Sequence, residues 1–129
     1  MPRGYSRERT SVHNLHYHSV WCPKYRKPVL TGKIGDRLEH LIEEKAGELG
    51  LDLLRLAIQP DHVHLFITGN PKLAPNKIIQ QVKDYTSRNL REEFDFGLSS
   101  LWTRSYFVSS AGDVSSQIIE EYIEAQTGQ

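Results

Sequence analysis

The residues in this chain that most clearly suggest chemistry are two histidines separated by one apolar residue, His62-Val63-His64. They lie in a run that is typical of a strand, 58–67, in which alternate side chains share a face. Both imidazoles would then point one way and Val63 the other. Two neutral imidazoles on a rigid strand supply half of a divalent-metal site. A solvated polar pair on an amphipathic strand is the alternative interpretation.

A second candidate pair, Tyr122 and Gln126, lies near the end of the chain with a spacing that makes neighbours on a helix. The predicted apolar face of that helix consists of Ile118, Ile119, Tyr122, Ile123 and Gln126, with Glu120, Glu121 and Glu124 opposite. A buried amide without partners is costly, and the carbonyl oxygen of Gln126 would suit Mg²⁺ or Mn²⁺. A core tyrosine and a frayed helix end are the alternatives.

The elements that must position these residues follow the order βαββαβ plus a last helix. Strands are predicted at 13–21, 51–59, 63–68 and 101–109, and helices at 34–49, from Pro75 onward, and at 115–126 with Ser115 as N-cap. This is the order of the ferredoxin-like fold of the α+β class, a four-stranded antiparallel sheet with two helices on one face. Its first and third strands are central, which places His16 and His18 beside the strand of His62. The other sheet face would be free for chemistry or nucleic acid.

Length and composition fit a single domain, residues 1–129, with 16 basic and 16 acidic residues. Net neutrality argues at first against a nucleic-acid partner, but the first 33 residues hold seven basic residues and one acid, which predicts a local basic surface. Cys22 is the only cysteine, so an intrachain disulfide and a cysteine-based zinc site are excluded. The sequence shows neither an apolar run near the ~20 residues of a membrane span nor a signal core. We expect a cytoplasmic location.

Four ordered stretches of the chain resemble the single-tyrosine HUH transposases of the insertion sequence 200/605 family, in which HUH stands for His, hydrophobic residue, His. The stretches are 16–26 (HYHSVWCPKYR), 60–65 (PDHVHL), 102–108 (WTRSYFV) and 122–126 (YIEAQ). A lone His-x-His motif is a weak signal. Four stretches in the expected order, ending in Tyr-x-x-x-Gln and spanning nearly the whole chain, are a specific one.

The resemblance implies a transposase for single-stranded DNA with a bound Mg²⁺ or Mn²⁺. It makes His62, His64 and Gln126 the metal ligands, and it makes Tyr122 the nucleophile. Attack by Tyr122 would give a 5′-phosphotyrosine and a free 3′-OH, and strand transfer would rejoin the DNA. Because the covalent intermediate keeps the bond energy, ATP is not required, and the sequence contains no P-loop.

The stretch His16-Tyr17-His18 also fits the pattern His, hydrophobic, His, and is a competing metal pair. The resemblance places the metal at His62 and His64, so we expect His18 to orient those ligands through hydrogen bonds. Asp61, which precedes His62, is expected to do the same.

The resemblance also implies DNA hairpins as binding partners and a homodimer in which the tyrosine helix of one subunit completes the site of the other. Gly112-Asp113 would serve as the hinge. Candidate DNA-binding side chains offer a charge for phosphates or a ring for base stacking. They are Lys24, Tyr25, Arg26, Lys27, Lys77, Lys83, Arg88 and Arg104. Ordinary solvated charge is the alternative for each.

Two other functions remain open from the sequence. A replication-initiator or relaxase-like HUH nuclease would share the metal and the tyrosine but serve replication. A non-catalytic ferredoxin-like RNA-binding module would use Tyr17, Phe66 and Tyr106 as stacking platforms. Formation of an SDS-stable protein–DNA adduct separates the enzymes from the binding module.

Overall fold

The structure, a computed structural model, describes residues 15–110 and 116–126. The strands are β1 (His16–Trp21), β2 (Leu53–Gln59), β3 (His62–Thr68) and β4 (Phe107–Ser109), and the helices are α1 (Gly32–Glu48), α2 (Pro75–Glu93) and α3 (Ser116–Ala125). One antiparallel sheet contains the strands in the order β2-β3-β1-β4. The predicted α+β, ferredoxin-like arrangement is confirmed, with β1 and β3 in the centre.

One face of the sheet, here called the inner face, consists of Trp21, Val63, Leu65 and Ile67 and is at most 1% exposed. It packs against α1 and α2, whose apolar residues recur at the helical period. The buried helix residues are Leu38, Leu41, Ile42 and Ala46 of α1, and Ile78, Ile79, Val82 and Leu90 of α2. Burial at roughly 25 cal/mol per Å² makes this layer the main source of stability.

Helix α3 packs against the opposite face of the sheet. A small cluster of Val20, Cys22 and Ile123 is buried there, with Phe107 and Tyr122 partly buried against it. The face that the sequence left free is therefore partly covered. Glu120, Glu121 and Glu124 are exposed as predicted, whereas Ile118 is 47% exposed and does not belong to the apolar face assigned to it.

The last strand is much shorter than the predicted 101–109, because only Phe107–Ser109 pairs with β1. Lys83 of α2 contacts the segment that precedes this strand. Its Nζ donates to three successive carbonyl oxygens, those of Thr103 (2.8 Å), Arg104 (3.3 Å) and Ser105 (3.0 Å). Successive carbonyls of an extended strand point to opposite sides, so three of them can reach one ammonium only where the chain curves.

Other boundaries differ by small amounts. β2 begins at Leu53 rather than at residue 51, and a register shift between Leu53 and Arg55 leaves Leu54 46% exposed. α1 begins two residues before the predicted start, and Gly50 follows it at φ 71°, a conformation that favours glycine. Positions 13 and 14, Gly112-Asp113 and Ser115 lie outside the described residues. Within the described part of the chain, no helix is long and apolar enough to cross a membrane.

Candidate active site on the histidine face

His62 and His64 lie on one face of β3, as predicted. Val63 and Leu65 are buried on the inner face, whereas His62 and His64 are only partly buried on the other side. Together with His18 of β1 and Phe66 of β3, they form what we call the histidine face. The alternation of the strand therefore separates packing residues from candidate ligands.

His18 contacts His64 directly. Its Nδ1 lies 3.2 Å from His64 Nε2, and its ring stacks on Phe66 with the centroids 4.2 Å apart and the planes at 14°. Burial, assisted by the charges of His18 and His62, lowers the pKa of His64 below its ordinary value. A neutral imidazole at neutral pH is the form that binds a cation.

Asp61 orients the other histidine. Its Oδ1 lies 2.9 Å from His62 Nδ1, and its Oδ2 accepts a hydrogen bond of 2.7 Å from Arg26 Nε. Partial burial opposes ionisation of Asp61, but the hydrogen bonds from Arg26 and His62 hold the pKa of the carboxyl below its ordinary value. A carboxylate at Nδ1 favours the tautomer that leaves Nε2 of His62 free for a metal.

Arg26 reaches Asp61 because the chain turns sharply after β1. Tyr25 (φ 59°) and Arg26 (φ 54°) both adopt the left-handed conformation, which is uncommon for residues other than glycine. Nη1 of Arg26 also lies 3.1 Å from Glu124 Oε2 on α3. The guanidinium thus links the tyrosine helix to the carboxylate that holds His62.

Tyr122 and Gln126 meet at a residue that the sequence analysis missed, Ser105. Its Oγ donates to Gln126 Oε1 at 2.7 Å and lies 3.2 Å from the Tyr122 hydroxyl, while Gln126 Nε2 donates to the Tyr122 backbone oxygen at 3.4 Å. Gln126 is 7% exposed and has the partners that a buried amide needs. Burial raises the pKa of Tyr122, partly offset by the Ser105 hydrogen bond, so the phenol is protonated at neutral pH.

The tyrosine helix and the histidines lie on the same side of the sheet. α3 packs on Val20, and Val20 faces His64 across the β1–β3 pairing. Within the described ranges, no three His, Cys, Asp and Glu side chains group in a way that could hold a metal ion. A cation at His62 and His64 would therefore need an oxygen ligand of another type. Gln126 Oε1 has the required chemistry, since an amide oxygen carries two lone pairs and Ser105 engages one.

Comparison with known protein families shows the family of this chain. The family described as "Transposase IS200 like" matches residues 11–126. This chain belongs to the IS200-like transposase family. A transposase of this kind cleaves DNA and transfers strands, and the resemblance noted in the sequence is confirmed.

Relatives of this transposase support the assignment. It is 31% identical to the ISDra2 transposase TnpA of Deinococcus radiodurans over 133 aligned residues, which cover 98% of this chain and 94% of the relative. It is 28% identical to the transposase for insertion sequence element IS200 of Salmonella typhimurium, covering 88% of this chain and 77% of the relative.

Two solved structures share the fold of this transposase. The crystal structure of a proposed transposase from Deinococcus radiodurans superposes with a TM-score of 0.82 and 29% identity, covering 89% of this chain and 92% of the other. A REP-associated tyrosine transposase bound to a REP hairpin superposes with a TM-score of 0.61 and 12% identity, covering 86% of this chain and 63% of the other. The second likeness supports the fold alone.

The residues of this transposase that were predicted to bind DNA lie in different environments. Tyr25 is 54% exposed, with Lys24 Nζ 5.8 Å from its ring, and Lys27 is exposed beside them. Lys77, Arg88 and Arg104 are exposed.

The environment of Lys83 argues against the sequence-based prediction that it contacts DNA. It is 8% exposed, burial lowers its pKa to about 8, and its ammonium is occupied by the carbonyls of 103–105. The sequence contained a signal of this burial. Lys83 lies one turn after the apolar Ile79, so the helical period places it on the apolar stripe of α2.

Proposed function

We propose that this chain is a metal-dependent transposase for single-stranded DNA in which Tyr122 attacks the scissile phosphate. The observation that carries the proposal is the packing of α3 on Val20 and Cys22, on the side of the sheet that also carries the histidines. Because α3 packs on Val20, and Val20 faces His64, the candidate nucleophile shares a sheet face with the candidate ligands. Gln126 lies one helical turn from Tyr122 and contacts the same serine.

The side chains have distinct tasks in the proposed reaction. His62, His64 and Gln126 would hold a Mg²⁺ or Mn²⁺ ion, which when bound polarises the phosphate oxygens and neutralises developing charge. The phenol of Tyr122 is protonated at neutral pH, so it must lose that proton as it attacks. A bond forms between Tyr122 Oη and phosphorus, and the bond from phosphorus to the 3′ oxygen breaks.

The products define the second half of the proposed reaction. They are a 5′-phosphotyrosine and a strand that ends in 3′-OH after its leaving oxygen gains a proton. Attack by another 3′-OH on the phosphotyrosine reverses these steps and restores Tyr122. The energy of the phosphodiester is conserved throughout, which explains how strands are rejoined without ATP.

Hairpin DNA is the proposed substrate. The REP-associated transposase of the same fold is bound to a hairpin. In this chain the turn after β1 offers two cations and a stacking ring, with Tyr25 and Lys27 exposed and Lys24 partly buried. A cytoplasmic, DNA-associated location and a homodimer that exchanges α3 complete the proposal. Exchange is compatible with the small apolar cluster that attaches α3 to its own sheet. Mixing His64→Ala and Tyr122→Phe subunits tests it, since recovered cleavage requires a site shared between subunits.

The test of function is covalent capture. A single-stranded oligonucleotide with the hairpin of the element end is incubated with the protein and Mg²⁺ or Mn²⁺, and SDS-resistant adducts are separated by electrophoresis. We expect an adduct with wild type, loss with EDTA and loss with Tyr122→Phe. Tyr85→Phe is the matched control, because that hydroxyl bonds Glu44 between α1 and α2. A wild type without any adduct would contradict the enzyme proposal, and retained RNA binding would then favour the binding module.

A further inference from the structure

Ser105 connects the proposed nucleophile to the proposed oxygen ligand through a directed pair of hydrogen bonds. Its Oγ lies 2.7 Å from Gln126 Oε1 and 3.2 Å from Tyr122 Oη. An amide oxygen can only accept, so the single proton of the Ser105 hydroxyl is donated to Gln126. In the contact between the two hydroxyls, Tyr122 is then the donor. Both side chains of α3 are therefore held by one serine oxygen.

The backbone that carries Ser105 is fixed by an unusual buried cation. The Lys83 ammonium donates to the carbonyl oxygens of Thr103, Arg104 and Ser105 at 2.8, 3.3 and 3.0 Å. It also lies 5.4 Å from the ring centroid of Tyr106. Burying a lysine is costly unless its donors are matched, and here three donors meet three acceptors.

The same segment is fastened to the main core on both sides. Trp102 Nε1 donates to the Lys83 carbonyl at 3.2 Å and lies 3.1 Å from Thr86 Oγ1, which ties the segment to α2. The Thr103 amide donates to the Cys22 carbonyl at 3.0 Å, which ties it to the end of β1. Hydrogen bonds to both α2 and the end of β1 therefore fix the segment although it forms no strand.

α3 has few comparable anchors. Its apolar contact is the small cluster around Ile123, and its ion pair with Arg26 involves Glu124, whose side chain is 75% exposed and so contributes little. Tyr122 also contacts the Thr103 side chain and the Phe107 ring, whose centroid lies 6.1 Å from its own. The Ser105 hydroxyl differs from these contacts because it holds both Tyr122 and Gln126.

We propose that Ser105 is a positioning residue of the transposition site, and that Lys83 sets its place by clamping the backbone of 103–105. This inference rests on the proposed function for the roles of Tyr122 and Gln126. Loss of the hydroxyl would remove a contact from both the phenol and the amide oxygen, which makes other rotamers of the two side chains more accessible. Misplacement by about 1 Å can reduce the rate of a reaction about 100-fold.

The kinetic test compares Ser105→Ala, Ser105→Thr and the matched surface control Ser99→Ala. At saturating hairpin DNA we expect Ser105→Ala to slow single-turnover adduct formation about 10- to 100-fold with unchanged DNA affinity. Ser105→Thr keeps the hydroxyl and should recover most of the rate, and Ser99→Ala should equal wild type. A wild-type rate in Ser105→Ala, or failure of threonine to rescue, would overturn the role of Ser105.

A second readout does not depend on catalysis. The NMR signal of the Tyr122 ring carbon that bears the hydroxyl reports its hydrogen bonding in the free protein. It should move in Ser105→Ala and return in Ser105→Thr. If wild type forms no adduct while this signal behaves as expected, the proposed function fails but the positioning by Ser105 stands. An unmoved signal contradicts the positioning itself.

The contribution of Lys83 is tested by a double-mutant cycle, with the exposed Lys33→Met as control. Lys83→Met alone should slow adduct formation and move the Tyr122 signal in the same direction as Ser105→Ala. Added to Ser105→Ala, it should slow the reaction less than about 2-fold further, because both act through one contact. If the two substitutions slow the reaction independently, so that their effects multiply, Lys83 does not act through Ser105. If Lys83→Met does not fold, the same cycle is measured with Lys83→Arg.

Discussion

The two faces of the sheet are made by the same strands but do different work. On the inner face, Leu65 and its neighbours are almost fully buried against α1 and α2. On the histidine face, His62 and His64 alternate with them along β3, keep partial exposure and make polar contacts. A period of two therefore lets one strand supply core residues on one face and candidate site residues on the other.

The faces also differ in how firmly they hold a helix. The inner face buries a large continuous cluster, whereas the other face holds α3 through Val20, Cys22 and Ile123 and a few polar bonds. Changes on the inner face should therefore affect folding, and changes on the histidine face should affect metal binding and cleavage.

The largest expected effect is on the histidine face. His64→Ala should reduce metal-dependent adduct formation about 1000-fold, because the cation supplies several kcal/mol of charge stabilisation in the transition state. The free energy of unfolding should change by less than about 1 kcal/mol. Adduct yield and urea denaturation measure the two quantities. His40→Ala, on the exposed side of α1, is the control, and a large loss of stability in His64→Ala would erase the distinction between the faces.

One residue further along β3, Leu65→Ala should show the reverse behaviour. The cavity in the core should lower the free energy of unfolding by about 2–5 kcal/mol. Adduct formation per folded molecule, measured at low temperature, should stay close to wild type. If Leu65→Ala impairs cleavage by the folded protein as strongly as His64→Ala does, the two faces do not have separate roles in stability and cleavage.

A smaller effect is expected at the carboxylate that orients His62. Asp61→Asn weakens the hydrogen bonds to His62 Nδ1 and Arg26, and loss of such a ligand partner typically weakens metal affinity about 10- to 100-fold. Mn²⁺ binding measured by calorimetry checks this prediction. Asp36→Asn, an exposed change on α1, should leave the affinity unaltered. Equal affinities for Asp61→Asn and wild type would mean that Asp61 does not position the ligand.

The smallest effect is a dependence of stability on pH at the same carboxylate. The pKa of Asp61 is lower in the folded protein than its ordinary value of 3.8, so its contribution is present above that value and is lost as pH falls through the folded pKa. We expect wild type to exceed Asp61→Asn by less than about 1 kcal/mol near pH 6, since Asp61 is partly exposed. Urea denaturation should show this difference shrinking below about pH 4, and a constant difference would exclude the ion pair as its source.

The sequence predicted what depends on local periodicity. Alternation placed His62 and His64 on one face, and the helical period placed Tyr122 beside Gln126, both as observed. The order of elements predicted the central pairing of β1 with β3. The first two features depend on neighbours along the chain, and the central pairing follows from the element order that is typical of the fold.

What the sequence could not predict depends on contacts between distant residues. The stretch before β4 alternates like a strand, but its backbone curves around Lys83. The ammonium of Lys83, about 20 residues away in the sequence, donates to three of its carbonyl oxygens. Ser105 lies in the stretch 102–108 that resembles the transposase family, but one serine in an alternating stretch does not indicate its contacts with Tyr122 and Gln126. The pairing of Arg26 with Asp61 required two residues in the left-handed conformation, which nothing in their types indicates.

In the proposed reaction, α3 presents Tyr122 to a phosphate that is held at the histidine face. Mass spectrometry of the digested protein–DNA adduct tests it most directly, because it identifies the modified residue and the end of the DNA attached to it. We expect a nucleotide joined through its 5′ phosphate to Tyr122, absent when metal is removed. A nucleotide on another residue, such as Tyr106 or Tyr25, or one joined through a 3′ phosphate, would contradict it.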